Sequence, residues 1–168
     1  MGQLAFKASV TEEQAWQAIQ ARAPRISRIR AELRHHPFSG FVHRFYHPVH
    51  GASAPARVHT LVDRLTGKAF ISEPWSELVE VDEASQGSSV SDPGWNTITF
   101  EQARERSLQV IRVAALRRYR LARRHALEEL ESHELLWKPN WLLTGMLGQQ
   151  RLRVLVDGLT GSYYVVES

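Results

Sequence analysis

The sequence RVHTLVDRLTGKAFISE at residues 57–73 returns, without a gap, as RLRVLVDGLTGSYYVVE at residues 151–167. Eight of these 17 positions are identical. A second match lies upstream of each copy, where TEEQA at residues 11–15 corresponds to TFEQA at residues 99–103. Two matches in the same order indicate an internal duplication, and a duplication determines the fold more than any single motif.

Each long match contains the features of a tight turn. Asp63 and Asp157 can accept hydrogen bonds from the backbone amides of their own turns. Gly67 and Gly161 suit a position with positive φ, which a turn followed by a bulge requires. Hairpins are therefore predicted at both copies, and the residues with a structural role in these turns are Asp63, Thr66, Gly67, Asp157, Thr160 and Gly161.

Each short match has the features of a helix start. The hydroxyls of Thr11 and Thr99 can accept a hydrogen bond from the amide three residues later, where Gln14 and Gln102 stand. The glutamine side chains can reach back to the amide of the threonine, which completes a capping box. Two helices are therefore predicted, one in each half of the chain.

Alternation of apolar and polar residues predicts the strands. Residues 28–35 place Ile29, Ala31 and Leu33 on one face, as in an antiparallel strand with one buried face. The predicted strands are 28–35, 41–46, 57–62 and 68–72 in the first half, and 131–137, 141–146, 151–156 and 162–167 in the second. The aromatic residues expected to fill the core of the second half are Trp137, Trp141, Tyr163 and Tyr164.

The predicted fold is α+β, with two repeated units that each pack a helix on a four-stranded antiparallel meander. The first unit is expected at residues 1–75 and the second at residues 98–168. Residues 76–97, which are rich in Ser, Gly, Asp and Pro, are expected to form an acidic linker. Units of this size would be only marginally stable alone, so we expect them to pack together.

The order of a threonine-capped helix, a strand meander and a V-D-x-x-T-G hairpin resembles the PepSY domain. The motifs that carry the resemblance are residues 11–15 with 62–67 and residues 99–103 with 156–161, so both halves look PepSY-like. The resemblance implies a non-enzymatic module, associated with peptidase propeptides, cell-envelope proteins and sensors, that binds or restrains a partner.

The composition excludes several kinds of site and location. The 168 residues include no cysteine, which rules out disulfides, thiolate metal sites and cysteine nucleophiles. No apolar stretch is long enough to span a membrane, and the first ten residues lack the pattern of a secretory signal. We therefore expect a cytoplasmic protein with no membrane span.

Positive charge is concentrated in the second helix, which ends near Leu116 or continues to about residue 130. Residues 102–125 contain eight arginines and one carboxylate, whereas residues 76–101 contain six carboxylates and no Lys or Arg. This arginine helix could bind nucleic acid, anionic lipid or an acidic protein, or it could be neutralised by Glu128, Glu129, Glu131 and the linker. The residues of this candidate surface are Arg117, Arg118, Arg120, Arg123 and Arg124.

Six of the eight histidines lie within residues 35–59, which raises the hypothesis of a metal site. Carboxylates that would orient metal-bound imidazoles are scarce in this segment, so histidines on a sheet surface are the favoured interpretation. The chain also contains no nucleophile elbow and no glycine-rich phosphate loop. We therefore predict no catalytic residue, no metal and no cofactor; the histidines concerned are His35, His36, His43, His47, His50 and His59.

Three functional hypotheses follow, in this order. The first is a non-enzymatic binding or regulatory module whose partner is another protein, with assembly into a homo-oligomer left open. The second is a nucleic-acid-binding protein that uses the arginines near residues 117–124. The third is a metal-binding or enzymatic role for the histidine-rich segment at residues 35–59.

Overall fold

The structure is a computed structural model that describes residues 3–45, 56–75, 77–81, 97–118 and 127–167. These residues form two helices, α1 (Glu12–Gln20) and α2 (Phe100–Arg118). The strands are β1 (Gln3–Phe6), β2 (Ser27–Phe45), β3 (Ala56–Asp63), β4 (Ala69–Ser72), β5 (Leu78–Val81), β6 (Leu127–Leu147), β7 (Gln150–Asp157) and β8 (Tyr163–Glu167). Neither helix has the length and apolar character that crossing a bilayer requires.

The eight strands form one sheet that is mostly antiparallel, as the α+β prediction required. The strand order is β4-β3-β2-β6-β1-β5, with β7 paired to β6 and β8 paired to β7. The contact between β1 and β6, which joins Ala5 to Trp137, is parallel. The hairpins β2–β3–β4 and β6–β7–β8 are antiparallel throughout.

The chain divides into two compact units, and each unit combines residues from both halves of the sequence. Of the described residues, unit one holds those up to 36, 77–81 and those from 137 onward, and unit two holds the rest. Unit one therefore contains α1 with β7 and β8, whereas unit two contains α2 with β3 and β4. The predicted boundaries at residues 75 and 98 separate the two copies of the duplicated sequence. They stay a prediction.

In unit one, α1 packs on strands from the other end of the sequence. The helix begins with a capping box, in which the Gln14 amide donates to Thr11 Oγ1 at 3.2 Å and the Thr11 amide donates to Gln14 Oε1 at 2.9 Å. Trp16, which is 2 % exposed, is the largest side chain of the core beneath the helix. The core residues are Ala15, Trp16, Ile19, Ile26, Leu143, Val154 and Val156.

In unit two, α2 packs on β2 and β3. The capping bonds recur, with the Gln102 amide 3.1 Å from Thr99 Oγ1 and the Thr99 amide 2.9 Å from Gln102 Oε1. The hydroxyls of Ser107 on α2 and Thr60 on β3 are 2.6 Å apart in the buried interface. The core residues beside them are Phe41, Val62, Ile98 and Ala103.

The prediction of four strands in each half is wrong, because two predicted strands merge at each proline. The predicted strand 28–35 and the described part of the predicted strand 41–46, which is residues 41–45, belong to the single strand β2. Residues 131–137 and 141–146 belong to β6. At both prolines the ladder uses the carbonyl rather than the missing N–H. The Pro37 oxygen accepts from the Arg64 amide at 3.0 Å, and the Pro139 oxygen accepts from the Gly158 amide at 2.9 Å.

Several details of burial also differ from the sequence-based expectation. Ile29 is 54 % exposed and Leu33 is exposed as well, so the apolar face of residues 28–35 is not fully covered. Tyr164 is 62 % exposed and Tyr163 is exposed, because both lie on β8, which pairs with β7 alone among the described strands. The predicted linker contains a strand, β5, which pairs with β1.

Candidate anion-binding site

A cavity of about 600 Å³ in unit one is lined mainly by polar and positively charged residues. Its walls are formed by the first part of β2, the second part of β6, the turn after β6 and the beginning of β7. We call it the arginine cavity. The described residues that line it are Arg30, Glu32, Arg34, Leu142, Thr144, Gln149, Gln150, Arg151 and Arg153.

The cavity lies on the face of the sheet opposite α1. Leu143 and Val154 belong to the core beneath α1. Because successive residues of a strand point to opposite faces, Leu142, Thr144 and Arg153 point away from the helix. Leu142 and Thr144 are buried and form the floor, while the longer arginine side chains stand around them.

The lining has an excess of positive charge. The described lining residues include four arginines and one carboxylate, Glu32. Glu32 is itself held from two sides, because Arg30 forms an ion pair with Oε1 and the Arg34 Nη2 donates to Oε2 at 2.9 Å. A guanidinium group presents several donors in a fixed plane that matches a carboxylate or phosphate. The cavity is therefore suited to binding an anion.

Only part of this cavity was visible in the sequence. The alternation within residues 28–35 places Arg30, Glu32 and Arg34 together on the polar face of that strand. Arg151 and Arg153 lie more than a hundred residues later in the chain. They reach the same region of the sheet because β6 pairs with both β2 and β7. Their identification as neighbours of Arg30 and Arg34 requires the strand order, which no local pattern contains.

The arginine helix predicted from the sequence lies largely outside the described residues. Arg117 is an exposed residue near the end of α2, and Arg118 ends the helix. Arg120, Arg123 and Arg124 fall outside the described part of the chain, so the surface predicted at residues 117–124 stays a prediction.

The first turn motif binds its own backbone. Asp63 Oδ1 accepts from the amides of Leu65 at 2.8 Å and Thr66 at 3.3 Å. The Gly67 amide donates to the Asp63 carbonyl at 2.7 Å, and Gly67 has a φ of 73°. The Asp63 carboxylate is thus engaged in closing the hairpin between β3 and β4.

The second turn repeats these bonds. Asp157 Oδ1 accepts from the amides of Leu159 at 2.8 Å and Thr160 at 3.2 Å. The Gly161 amide donates to the Asp157 carbonyl at 2.9 Å, and Gly161 has a φ of 78°. Both aspartates therefore have a structural role in the geometry observed.

The histidines of residues 35–59 do not assemble into a ligand set within the described part of the chain. No group of three His, Asp or Glu side chains there is placed to hold a metal ion. His35 lies in unit one, whereas His43 and His59 lie on β2 and β3 of unit two. His47 and His50 fall outside the described residues.

Burial lowers the pKa of His35, His43 and His59 below the ordinary histidine value. At His43, nearby Arg104 lowers the pKa further, while Glu129 raises it and only partly offsets the burial. The Nδ1 atom of His43 is buried and has no hydrogen-bond partner among the described residues. The folded state therefore favours the neutral imidazole of His43.

Acidification is expected to destabilise the protein through these histidines. The unfolded chain takes up their protons near pH 6.5, whereas the folded chain does so only at lower pH. The contribution of these neutral histidines to the free energy of unfolding is therefore fully present above about pH 6.5. Below that pH it falls, by up to about 1.4 kcal/mol per pH unit for each histidine. Urea denaturation at pH 7.5, 6 and 5 measures this slope. His43→Leu should reduce it, and an unchanged slope in that variant would exclude His43 as a source.

A second polar cluster, in unit two, is structural rather than open to a ligand. Arg64 is fully buried, and its guanidinium donates to Ser39 Oγ at 2.9 Å, to the Glu134 carbonyl at 3.1 Å and to the Ile98 carbonyl at 2.9 Å. Burial lowers the pKa of Arg64, so these bonds must offset the cost of removing its charge from water. In the sequence, the one sign of this role is that Arg64 stands where the other copy has Gly158. That difference alone did not predict a buried arginine.

Comparisons with protein-family models, with curated proteins and with solved structures returned no match.

Proposed function

We propose that this protein is a non-enzymatic, PepSY-like binding module that holds a protein partner through anionic groups at the arginine cavity of unit one. The observation that carries the proposal is the convergence of four guanidinium groups on one cavity of about 600 Å³. Arginine side chains in such a setting bind carboxylates through paired, charge-assisted hydrogen bonds.

The chemistry of the cavity supports binding rather than catalysis. A general acid or base must be able to exchange a proton with a bound substrate. Glu32, the carboxylate among the described lining residues, has its two oxygens engaged by Arg30 and Arg34. Glu32 therefore positions Arg30 and Arg34, which line the cavity from β2.

The tandem PepSY-like organisation belongs to the same proposal. Its support is the recurrence of one set of local bonds in each half of the chain. Both helices begin with a Thr–Gln capping box. Both hairpins are closed by an aspartate and a glycine of positive φ. The PepSY resemblance implies a role in restraining a partner, and the arginine cavity is the surface that we propose for binding it.

The proposal predicts salt-dependent binding of an acidic peptide. A fluorescein-labelled decapeptide of glutamate should bind the full chain, and the corresponding glutamine decapeptide should not. Because two exposed charge pairs contribute about 0.7 kcal/mol each, Arg34→Gln with Arg151→Gln should weaken binding about tenfold. Fluorescence anisotropy at 25 mM and 150 mM NaCl measures both effects.

The matched control changes two exposed arginines of unit two, Arg57 and Arg117, to glutamine. Arg57 is the counterpart of Arg151 in the duplication, and Arg117 belongs to the predicted arginine helix. Binding should be unchanged in this control. Equal affinity of the cavity variant and the unchanged protein would contradict the proposal, and a loss in the control alone would move the function to the arginine helix.

A further inference from the structure

A second cavity, of about 400 Å³, lies in unit two between α2 and the hairpin formed by β3 and β4. We call it the edge groove. The described residues that line it are Gly67, Ala69, Arg106, Gln109, Val110 and Val113. The α2 residues of this set recur at every third or fourth position, so they form one stripe of the helix. Val113 is 41 % exposed, and Leu116, one turn further along the stripe, is exposed as well.

This apolar stripe has no counterpart in unit one. α1 ends at Gln20, which corresponds in the duplication to Leu108, so the part of α2 beyond Leu108 is additional. Arg22 and Arg25 stand where α2 has its two valines of the groove. The core of a unit therefore forms without apolar residues at these positions, and core packing alone does not explain Val113.

The edge groove lies beside an edge of the sheet. β4 pairs with β3 alone among the described strands. The Asp63 amide donates to the Lys68 carbonyl at 2.9 Å, so these two residues form a hydrogen-bonded pair at the start of the ladder. Hydrogen-bonded pairs alternate with non-hydrogen-bonded pairs in an antiparallel ladder. Ala69 and Ile71 are therefore in non-hydrogen-bonded pairs, and their N–H and C=O groups point away from β3.

The side chains of Ala69 and Ile71 lie on the face of the sheet that α2 covers. Their partners on β3 are Val62 and Thr60. Val62 belongs to the core with Ala103 of α2, and the Thr60 hydroxyl contacts Ser107 of the same helix. A strand added beside β4 would therefore bond to the backbone of Ala69 and Ile71, and its residues opposite them would point their side chains into the edge groove.

We propose that the edge groove binds an extended segment of a protein, which pairs antiparallel with β4 as an added strand. Such segments gain affinity from backbone hydrogen bonds and specificity from pockets for alternate side chains. The residues opposite Ile71 and Ala69 are two apart in the segment, and both fill the groove against Val110 and Val113. This site lies in unit two and shares no residue with the arginine cavity.

Charge at the hairpin end of the groove specifies a third position of the segment. Arg106 is the one charged residue among the described lining residues. Its Nη1 donates to the Gly67 carbonyl at 2.7 Å, which holds the guanidinium beside the turn. In an antiparallel segment, the side chain two residues after the one opposite Ala69 reaches this end on the same side. The preferred segment therefore has apolar side chains at two alternate positions, followed two residues later by a carboxylate.

A labelled heptapeptide with valine at positions two and four, glutamate at position six and serine elsewhere tests the added strand with the full chain. When it is bound, the valine amides face β4, whereas the amides of the serines at positions three and five face away. N-methylation of both valines removes two hydrogen bonds and should weaken binding at least about tenfold. N-methylation of these two serines should change it less than about twofold. Fluorescence anisotropy at 150 mM NaCl measures both effects.

Variants of the protein test the walls of the groove. Val113→Gln removes apolar contact and should weaken binding of the unmethylated peptide about fivefold. Arg106→Gln should abolish the preference for this peptide over one with glutamine at position six. The control is Val165→Gln, because Val165 is exposed on β8 and is the counterpart of Ile71; binding should be unchanged. Circular dichroism should show that each variant keeps its thermal unfolding midpoint.

Each contrary result overturns a stated part of the proposal. Equal weakening by the two N-methylations would exclude the added strand, and full binding by Val113→Gln would exclude the edge groove. Binding that is lost in Arg34→Gln with Arg151→Gln but not in Val113→Gln would place the peptide in the arginine cavity. A dimer of the chain in sedimentation equilibrium that dissociates in Val113→Gln would replace the partner segment with a second copy.

Discussion

Replacing Arg64 with methionine should lower the free energy of unfolding by about 3 kcal/mol, because it leaves buried acceptors without donors. The guanidinium donates to Ser39 Oγ and to the carbonyls of Glu134 and Ile98, all within 3.1 Å. Methionine has a similar length but no donor, so the change removes hydrogen bonds rather than volume. Urea denaturation followed by tryptophan fluorescence measures the loss.

The matched control is Arg57→Met, since Arg57 is an exposed arginine on the same strand, β3. We expect it to change the free energy of unfolding by no more than about 0.5 kcal/mol. If Arg64→Met costs as little as the control, the carbonyls are satisfied in another way and Arg64 does not hold unit two together.

Trp16→Ala should destabilise unit one by about 4 kcal/mol, the usual cost of removing a buried tryptophan. Trp16 is 2 % exposed and lies in the core that α1 forms with Leu143, Val154 and Val156. Arg28 also stacks on the indole, with its Cζ atom 5.4 Å from the ring centroid, and forms an ion pair with Glu13. Losing the ring therefore removes the main contact between the helix and these strands.

Gln17→Ala on the exposed side of the same helix is the control for Trp16→Ala. It should have little effect, since alanine is a good helix former and no core contact is lost. A cost below about 1 kcal/mol for Trp16→Ala would mean that α1 is not packed on the strands of unit one.

Local signals in the sequence predicted the parts of the fold that depend on local bonds. The hydroxyls of Thr11 and Thr99 each accept a hydrogen bond from the amide three residues later in the chain. The α+β class and the antiparallel hairpins also follow from patterns a few residues long. In such elements the partners of each polar group lie close in sequence, so the chemistry of neighbouring residues is sufficient.

Long-range pairing explains what the sequence did not predict. Pro37 and Pro139 lie inside strands because the amides of Arg64 and Gly158, which are 27 and 19 residues later, donate to their carbonyls. The exposure of Tyr164 follows from the position of β8 at the end of its hairpin, not from its own residues. The arginine cavity is the same kind of feature, since its residues come from strands that are separated by most of the chain.

Each helix packs on strands from the other half of the chain, and the same arrangement brings β2 beside β6 at the arginine cavity. Because the chain has no cysteine, an engineered disulfide can test this packing directly. The Thr60 and Ser107 hydroxyls are 2.6 Å apart, so cysteines at these positions are close enough to be bridged with little movement. The control pair is Ser107→Cys with Val154→Cys, because Val154 is the counterpart of Thr60 in the duplication.

Mass spectrometry after mild oxidation, with the intact protein digested under non-reducing conditions, decides between the two packings. Thr60→Cys with Ser107→Cys should give a linked pair of peptides in high yield, and Ser107→Cys with Val154→Cys should stay reduced, since Val154 lies in the core beneath α1. A disulfide in the second pair and not in the first would show that α2 packs on the hairpin of its own half, which would contradict the interleaved units and the cavity that depends on them.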